Sequence, residues 1–373
     1  MTKSNNIRGG RQNPRVLVAP LDWGLGHATR CIPIINGLIA EGCKVYIAAD
    51  KKIFSLLKKE FPNTVIIRCK GYEIEYSRLK SFQLLNLVFQ APKVIFRAFM
   101  EKIWLNAVIK KYKIDAVISD NRFGMYNKNI PSIYITHQLY IITGNPLVEK
   151  IAQKIHYFFI KKYTACWIPD QEDHALAGKL SHPNNLPGNA RYIGPVSRFK
   201  KLDNEGIVYD LLIILSGPEP QRTLFENKIL HQLKTIHNKI LLVRGLPGEI
   251  QKPEDFNNVR IKNHLPANKL NAELAKSKMV LCRSGYTSIM DLTVLQKKAI
   301  LVATPGQTEQ EYLSEYLLEK RFFFSENQKD FSIKKSLKKA ANFSFEKIEI
   351  DNEAYLKTLK NFVDNLKSGK TAE

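Results

Sequence analysis

The sequence has few cysteines and no long apolar run. Its five cysteines are scattered along 373 residues without a C-x-x-C pair, so neither a disulfide framework nor a zinc-finger site is indicated. This pattern favours a reducing, cytoplasmic compartment. The first residues are polar and lack the apolar segment of a signal peptide. The longest uncharged run of the stretch 78–113, residues 81–92, is too short to cross a bilayer as a helix.

Acidic residues are also scarce. The chain has 57 Lys and Arg against 35 Asp and Glu, which gives a net charge of +22. Such an excess attracts nucleic acid, anionic lipid or phosphorylated substrates, although a basic surface without any specific partner is the simpler alternative. No zinc-finger, KH or RNP pattern is present, so nucleic acid is not expected as a partner. No D-x-D triplet occurs, and neither a metal nor an organic cofactor is expected.

Short β-branched runs alternate with amphipathic segments, which is typical of β-α-β units on a parallel sheet. This pattern predicts an α/β protein in which two Rossmann-like doubly wound domains face each other across a cleft. We expect the domains at 12–197 and 198–350, with a helix and tail at 351–373 that pack back on the first domain. The predicted strands are 15–19, 44–49, 64–69, 115–119, 132–136, 165–168, 211–215, 240–243, 259–261, 279–281 and 299–302. The predicted helices are 28–41, 51–59, 221–233, 268–275, 287–295, 311–318 and 354–367.

Polar side chains follow three strands of the first half. The first strand leads into Gly24-Leu25-Gly26-His27, whose spacing is not the G-x-G-x-x-G of dinucleotide sites. The carboxyl ends of parallel strands meet at one edge of a sheet, so these groups should converge. A carboxylate and an imidazole there can activate a hydroxyl, whereas local capping of loops and helix starts is the alternative. The predicted catalytic residues are His27, Asp120 and His137, and the predicted acceptor-binding residues are Gly24, Gly26, Asn121, Arg122 and Gln138.

Three segments of the second half suit a nucleotide sugar. The first is 216–222, where the amides of a helix start, with Arg222 beside them, fit a diphosphate. The second is 282–291, where a glycine turn opens a helix and Asp291 can accept hydrogen bonds from ribose hydroxyls. The third is 305–312, whose carboxylates and amides suit sugar hydroxyls. The predicted donor-binding residues in these segments include Ser216, Gly217, Gln221, Arg222, Asp291 and Gln307.

These motifs resemble the GT-B glycosyltransferases of family 28, in particular the lipid-intermediate N-acetylglucosaminyltransferases of peptidoglycan synthesis. The resemblance rests on C-R-S-G followed by an acid, on Pro-x-Gln with a Gln-rich segment, and on G-x-G-H and His-Gln. It implies a UDP-sugar donor, with N-acetylglucosamine as the first choice. It also implies that Asp291 binds ribose and that the backbone of Leu265 reads the uracil edge. The diphosphate turn would be Gly285, Tyr286, Thr287 and Ser288, and the donor sugar would be read by Gln310 and Glu311.

The sequence also departs from this family pattern. The glycine-rich loop is shortened to Gly24-Leu25-Gly26, and the family's His-Glu-Gln run is reduced to His137-Gln138. Residues 217–220, Gly-Pro-Glu-Pro, replace a small phosphate loop. Glu311 stands where the family has an amide. The standard peptidoglycan role is therefore not expected, whereas a UDP-sugar donor is.

A basic and apolar stretch spans residues 78–113. It holds eight Lys or Arg, a single acid, Glu101, and many large apolar side chains. A basic amphipathic helix with Trp and Phe suits the surface of an anionic membrane. A second candidate is 150–162. An interdomain helix with its apolar face in the core is the alternative.

Together these features predict an inverting, metal-independent transfer of a sugar from UDP to an acceptor hydroxyl. The acceptor is expected to be lipid-linked or related to the cell envelope. One alternative is a UDP-sugar 2-epimerase on the same fold, which would need further acid and base carboxylates in the cleft. The other is a non-catalytic protein that binds sugar nucleotides or polyanions.

Overall fold

The computed structural model describes residues 11–22, 25–72, 83–173, 176–202, 206–251 and 253–369, and gives only the backbone for residues 52 and 83–91. Two fully parallel sheets organise these residues. The first has seven strands in the order β3-β2-β1-β4-β5-β6-β7, and the second has six in the order β10-β9-β8-β11-β12-β13. In each sheet the order of the strands along the chain changes direction at one point, between β1 and β4 in the first sheet and between β8 and β11 in the second. Such reversal points are where ligands bind in open α/β sheets.

The first sheet and its helices have the following bounds: β1 Arg15–Pro20, α1 Leu25–Ala40, β2 Lys44–Ala49, α2 Lys51–Glu60, β3 Val65–Arg68, α3 Gln83–Tyr112, β4 Ala116–Asp120, β5 Ser132–Ile135, α4 Pro146–Ile160, β6 Ala165–Ile168 and β7 Ala190–Tyr192. The central strands are continuous apolar runs because helices cover both faces of a parallel sheet. In β1, for example, residues 16–19 are all 0% exposed. This burial fixes the strand ends from which the polar residues of the cleft project.

The second sheet and its helices are β8 Tyr209–Ile214, α5 Gln221–Leu233, β9 Ile240–Val243, β10 Val259–Lys262, α6 Ala267–Ala275, β11 Ser277–Cys282, α7 Tyr286–Val294, β12 Ala299–Val302, α8 Thr308–Glu319, β13 Phe324–Glu326 and α9 Ile333–Ala341. The helices α5, α7 and α8 each begin shortly after a strand, at the carboxyl ends of β8, β11 and β12. The starts of these three helices therefore lie along one edge of the second sheet.

The last helix, α10 Ala354–Ser368, packs on the first sheet rather than on the second. Its Leu359, Phe362 and Val363 join the core that α1 forms with the strands. The ring of Phe362 meets Trp167 of β6 edge-on, with centroids 5.5 Å apart. Gly37 of α1 allows this approach, because a Cβ there would collide with Leu359. The predicted return of the C-terminal helix to the first domain is confirmed.

The predicted fold class is confirmed, and all eleven predicted strands are present with ends shifted by two residues or fewer. The sequence pattern missed β7, β13 and α9. The two strands have three residues each, and α9 buries only Ile333, Ser336 and Ala340. The predicted basic stretch corresponds to α3, and its residues 78–82 lie outside the described residues. No helix in the described ranges is long and apolar enough to cross a membrane.

Candidate active site

Asp120, the last residue of β4, holds two side chains of α1. Its carboxylate is 0% exposed, and its Oδ2 lies 3.2 Å from Nδ1 of His27. Arg30, one turn further along α1, donates from Nε to the same oxygen at 3.2 Å and from Nη2 to Oδ1. The arrangement follows from the fold, because α1 begins just after β1 and β1 pairs with β4. A buried carboxylate thereby fixes the imidazole of His27 at the edge of the cleft.

The charges around Asp120 determine its protonation state. Burial alone would raise the pKa of this carboxyl, but the charge of Arg30 and the hydrogen bonds from His27 and Arg30 outweigh it and lower the pKa to about 2. Asp120 is therefore ionised at neutral pH, and its Oδ2 is positioned to accept a proton carried on Nδ1 of His27. The tautomer with this proton has a lone pair on Nε2, whereas in the other tautomer Nδ1 would accept from Nη2 of Arg30, which lies 3.0 Å away. The side chain of His27 is 16% exposed, so a substrate can reach it.

His137, which follows β5, connects the two halves of the chain. Its Nε2 lies 2.7 Å from Oε1 of Glu309 in α8, and its Nδ1 lies 3.1 Å from Nη1 of Arg30. Gln138 also donates to Glu309. The ring of His137 stacks on Tyr286 with centroids 4.2 Å apart. Burial lowers the pKa of His137 although Glu309 opposes this, so the neutral ring accepts from Arg30 and donates to Glu309.

Further hydrogen bonds cross the cleft beside this network. The hydroxyl of Thr287 in α7 donates to the carbonyl of Gly26 at 3.1 Å, and the hydroxyl of Thr308 donates to the carbonyl of Ile142 at 3.1 Å. The first turn of α1, with its predicted base, thus lies against the predicted diphosphate turn. This juxtaposition is the geometry that a two-substrate reaction in the cleft requires.

The sequence predictions missed Arg30 and Glu309. Arg30 lies three residues after His27 on the same helix, a spacing that places both side chains on one face. Glu309 lies within the segment 305–312, which was predicted to read a sugar. Its carboxylate instead contacts His137 and Gln138, and the lengths of chain between them explain why sequence spacing could not reveal the pairing.

Two of the helix starts of the second half are open to an anion. Gly285 and Gln307, which precede α7 and α8, make no side-chain capping hydrogen bond. At α5 the carboxylate of Glu219 already accepts from the first-turn amide of Thr223 at 3.2 Å. Uncapped first-turn amides and the helix dipole together favour a negatively charged group. At the start of α7 the amide of Ser288 donates to the carbonyl of Gly285 at 2.9 Å. Tyr286 and Thr287 lie between these two residues and form the first turn of the helix.

Asp291, in the middle of α7, is engaged by the segment that joins the halves. Its Oδ1 accepts the hydroxyl proton of Ser197 at 2.6 Å, and its Oδ2 lies 3.4 Å from Nε of Arg198. Burial raises the pKa of Asp291 even though Arg198 and Ser197 oppose this. A carboxylate offers about four lone-pair sites, so hydrogen bonds from ribose remain feasible. The ribose-binding role stays a prediction.

The predicted sugar-reading residues hold the turn after β12. The side-chain oxygen of Gln310 accepts from the amide of Thr304 at 3.0 Å, and Gln310 donates to Gln307. Glu311 accepts from the amide of Gly306 at 3.0 Å. These contacts place all three side chains at the base of the turn, and their role toward a sugar stays a prediction.

The structure places two predicted ligand-binding arginines in buried ion pairs. Arg122 is 1% exposed; its Nε donates to Glu101 of α3 at 2.7 Å, and its Nη2 donates to the carbonyl of Lys70 at 2.7 Å. Contrary to the prediction, its guanidinium does not reach the surface of the cleft. Arg222 is held by Glu219 at 2.5 Å and by Glu226 at 2.8 Å. A buried guanidinium requires such partners, which leaves it little capacity for a diphosphate.

The remaining predicted residues have simpler surroundings. Asn121 adopts a φ of 57° directly after β4. Gly217 has a φ of 109° in the exposed turn before α5, next to the half-buried Ser216. The carbonyl of Gln221 accepts from Arg283 at 3.2 Å, and Leu265 packs against the core of the second sheet. Gly24 lies outside the described residues.

The comparisons with known proteins concern the fold and the second half of the chain. Residues 221–366 match the family model of the glycosyltransferase family 28 C-terminal domain. No curated protein sequence matches the chain. The solved glycotransferase of kitacinnamycin is 14% identical, with a TM-score of 0.58 over 97% of each chain. Spinosyn rhamnosyltransferase SpnG, complexed with thymidine diphosphate, is 13% identical, with a TM-score of 0.58 over 96% of each chain. MurG of Acinetobacter baumannii is 11% identical, with a TM-score of 0.49 over 96% of each chain.

The structural likeness establishes the GT-B fold, and the matched domain identifies the chain as a glycosyltransferase. The finer resemblance to the peptidoglycan enzymes is not confirmed. Within the described residues, no group of three or more His, Cys, Asp or Glu side chains could hold a metal ion.

Proposed function

We propose that this glycosyltransferase moves a sugar from UDP to an acceptor hydroxyl with inversion, and that His27 is the general base. The observation that supports this most is the pairing of His27 with the ionised Asp120. The pair lies beside Gly26, whose carbonyl accepts from Thr287 at the predicted diphosphate turn. A base on one side of a cleft and an anion-binding helix start on the other suit a single displacement at the sugar.

The proposed step is a direct displacement at the anomeric carbon. Nε2 of His27 takes the proton of the acceptor hydroxyl while its oxygen forms the bond to that carbon. The bond from the carbon to the diphosphate breaks, and its electron pair leaves with UDP. The carboxylate of Asp120 stabilises the imidazolium that forms. A positioned base contributes roughly 10²–10⁴-fold to such a reaction.

The charge that develops on the diphosphate is assigned to the start of α7 in the second half. The uncapped amides there can bind the leaving group without reorganisation. Because these dipoles supply the stabilisation, we propose that the transfer needs no divalent metal ion. Chelation with EDTA is therefore expected to leave the rate unchanged.

The identity of the donor is proposed from the motifs. Asp291 would bind the ribose, Leu265 the uracil edge, and Gln310 and Glu311 the sugar, with N-acetylglucosamine as the first choice. SpnG was crystallised with thymidine diphosphate, so thymidine nucleotides are the proper comparison. Calorimetric titration with UDP, thymidine diphosphate and UDP-N-acetylglucosamine tests this part, and tighter binding of thymidine diphosphate than of UDP would overturn it.

We further propose that the acceptor is lipid-linked and that the enzyme works in the cytoplasm, at the inner face of an anionic membrane. Two helices of the first half expose large apolar side chains. In α3 these are Ile95, Phe96, Phe99, Met100 and Ile103, and in α4 they are Leu147, Ile151, Ile155 and Phe158. Both helices pack near the loop after β4, where Phe123 stacks on Phe159 of α4 at 4.9 Å and Gly124 lies against Ala98 of α3. Lysines beside these faces would each add roughly 1 kcal/mol at an anionic surface.

Co-flotation with vesicles tests the membrane contact. Vesicles of phosphatidylcholine with added phosphatidylglycerol should carry the protein to the top of a density gradient. The variant Phe96→Ser/Phe99→Ser should lose this binding, because both side chains are 61% exposed and would no longer insert. Ile250→Ser, a change at a 93% exposed position of the second half, is the control. Equal flotation of both variants and the wild type would contradict the proposed contact.

Product analysis separates transfer from its rivals. With radiolabelled UDP-N-acetylglucosamine and a lipid extract, transfer moves the label into the lipid phase and releases UDP. A 2-epimerase would convert the donor to a second UDP-sugar without any acceptor. Donor binding without either product would favour a non-catalytic sugar-nucleotide protein.

A further inference from the structure

A second cavity lies outside the candidate active site, between α4 and the segment after the short 3₁₀ turn Gly178–Leu180. Its volume of about 570 Å³ is within the range of small-molecule sites. Tyr140, Lys150, Lys154 and Lys179 line it, together with the more deeply placed Gln153 and Tyr157. The cavity therefore combines three ammonium groups with aromatic and amide side chains.

The charge in this cavity is unbalanced. No acidic side chain is among the described residues that line it. Lys179 lies 5.1 Å from the ring centroid of Tyr312, and its charge also contributes to lowering the pKa of Glu149. The nearby Glu149 is already satisfied by the hydroxyl of Tyr140 at 2.6 Å and by the amides of Thr143 and Gly144. Lys150 and Lys154 are exposed, and the described part of the chain offers them no ion pair. The cavity is thus suited to an anion.

An apolar face adjoins the lysines on α4. Lys150, Gln153, Lys154 and Tyr157 follow the spacing i, i+3, i+4, i+7 and so share one side of the helix. On the adjacent side, Leu147 is 73%, Ile151 59%, Ile155 43% and Phe158 58% exposed. A ligand in the cavity can therefore extend an apolar chain along this neighbouring face without leaving the helix.

We propose that the cavity binds the phosphate group of a lipid, with Lys150, Lys154 and Lys179 contacting the phosphate and the acyl chain lying along the exposed face of α4. Lysine acts as a point charge toward phosphate oxygens, and the apolar chain buries exposed apolar side chains of α4. The lipid is thereby held one molecule at a time, which distinguishes this site from a general attraction of the basic surface to membranes. The binding does not depend on glycosyl transfer.

Calorimetry with short-chain lipids in monomeric solution tests the proposal without a membrane or a donor. The probes are dihexanoyl phosphatidic acid, dihexanoyl phosphatidylcholine with the same chains but no net charge, and inorganic phosphate. We expect phosphatidic acid to bind at one site per chain, and more tightly than either of the other two. In the variant Lys150→Gln/Lys154→Gln its affinity should fall at least about tenfold.

The control is Lys335→Gln/Lys338→Gln, which removes the same charge from exposed positions of α9 and should bind like the wild type. Near-ultraviolet circular dichroism of both variants shows whether each is folded. Equal loss in the two variants would mean that net charge alone attracts the lipid, and would overturn the proposal. So would phosphatidylcholine binding as tightly as phosphatidic acid. Inorganic phosphate binding as tightly as the lipid would refute the role of the apolar face.

Discussion

Replacing Asp120 by asparagine is expected to lower the stability of the first half of the protein and, for a separate reason, to slow transfer. The loss of stability comes from the buried pair with Arg30. The carboxylate is 0% exposed and Arg30 is 2% exposed, so water does not screen their interaction. Asparagine keeps the shape of the side chain but leaves the guanidinium without its counter-charge. Removing one partner of such a buried pair costs about 3–5 kcal/mol. No cavity forms, so this cost is mainly electrostatic.

The double variant Arg30→Met/Asp120→Asn separates the two effects. It removes both charges, so it should be more stable than Asp120→Asn alone, by about 2 kcal/mol in the free energy of unfolding. Its turnover should stay low, because His27 still lacks the carboxylate that stabilises its protonated form. The coupling between the two substitutions is thus visible in stability but not in activity.

Urea unfolding followed by tryptophan fluorescence is the assay. The chain has three tryptophans, at positions 23, 104 and 167, all in the first half, so the signal reports on the half that holds the ion pair. The wild type should also lose stability as the pH falls from about 4 toward 2, because the folded pKa of Asp120 is about 2 and the unfolded one is about 3.9. Asp120→Asn should lack this contribution. A double variant no more stable than Asp120→Asn would show that the unpaired charge of Arg30 does not cause the loss of stability.

Three further predictions concern other parts of the site and the core. Asp291→Asn should weaken UDP binding by about 1.5–3 kcal/mol in calorimetry, whereas Ser197→Ala, which frees Oδ1 of Asp291, should not; equal affinities in all three proteins would remove the ribose assignment. Glu309→Ala should reduce kcat more than Glu309→Gln, because the amide oxygen can still accept from His137, and identical rates for the two variants would argue against a positioning role. Burial lowers the pKa of His156 to about 4, so the unfolded chain takes up the proton first and stability should fall as the pH drops from about 6.5 to about 4. His156→Phe should flatten this part of the profile in urea titrations, and an unchanged slope would contradict the assignment.

The fold was accessible from the sequence because its strands are continuous apolar runs that end at polar turns. The bounds of β2, β6, β9, β12 and α5 were predicted to the residue. The missed strands β7 and β13 are too short to show a pattern of their own. They form because the preceding strand of each sheet offers a free edge, which is a property of the assembled sheet.

The candidate site was accessible only in part. His27, Asp120 and His137 could be brought together from their positions at strand ends. Their partners Arg30 and Glu309 could not, because pairing across 90 or 172 residues is decided by packing. The burial of Arg122 depends in the same way on Glu101 of α3, which also accepts from the amide of Gly124 in the loop after β4. A charged residue near a strand end therefore gives the same sequence pattern whether it contacts the substrate or forms an ion pair in the core.

The most direct test of the account is the comparison of turnover and donor affinity in His27→Ala. We expect kcat to fall roughly 10²–10⁴-fold, while the dissociation constant for UDP-sugar, measured by calorimetry, stays within about twofold. His231→Ala, at an exposed position on α5, should change neither value. Near-normal turnover, or a loss of donor affinity that accounts for the whole effect, would contradict the assignment of His27 as the base.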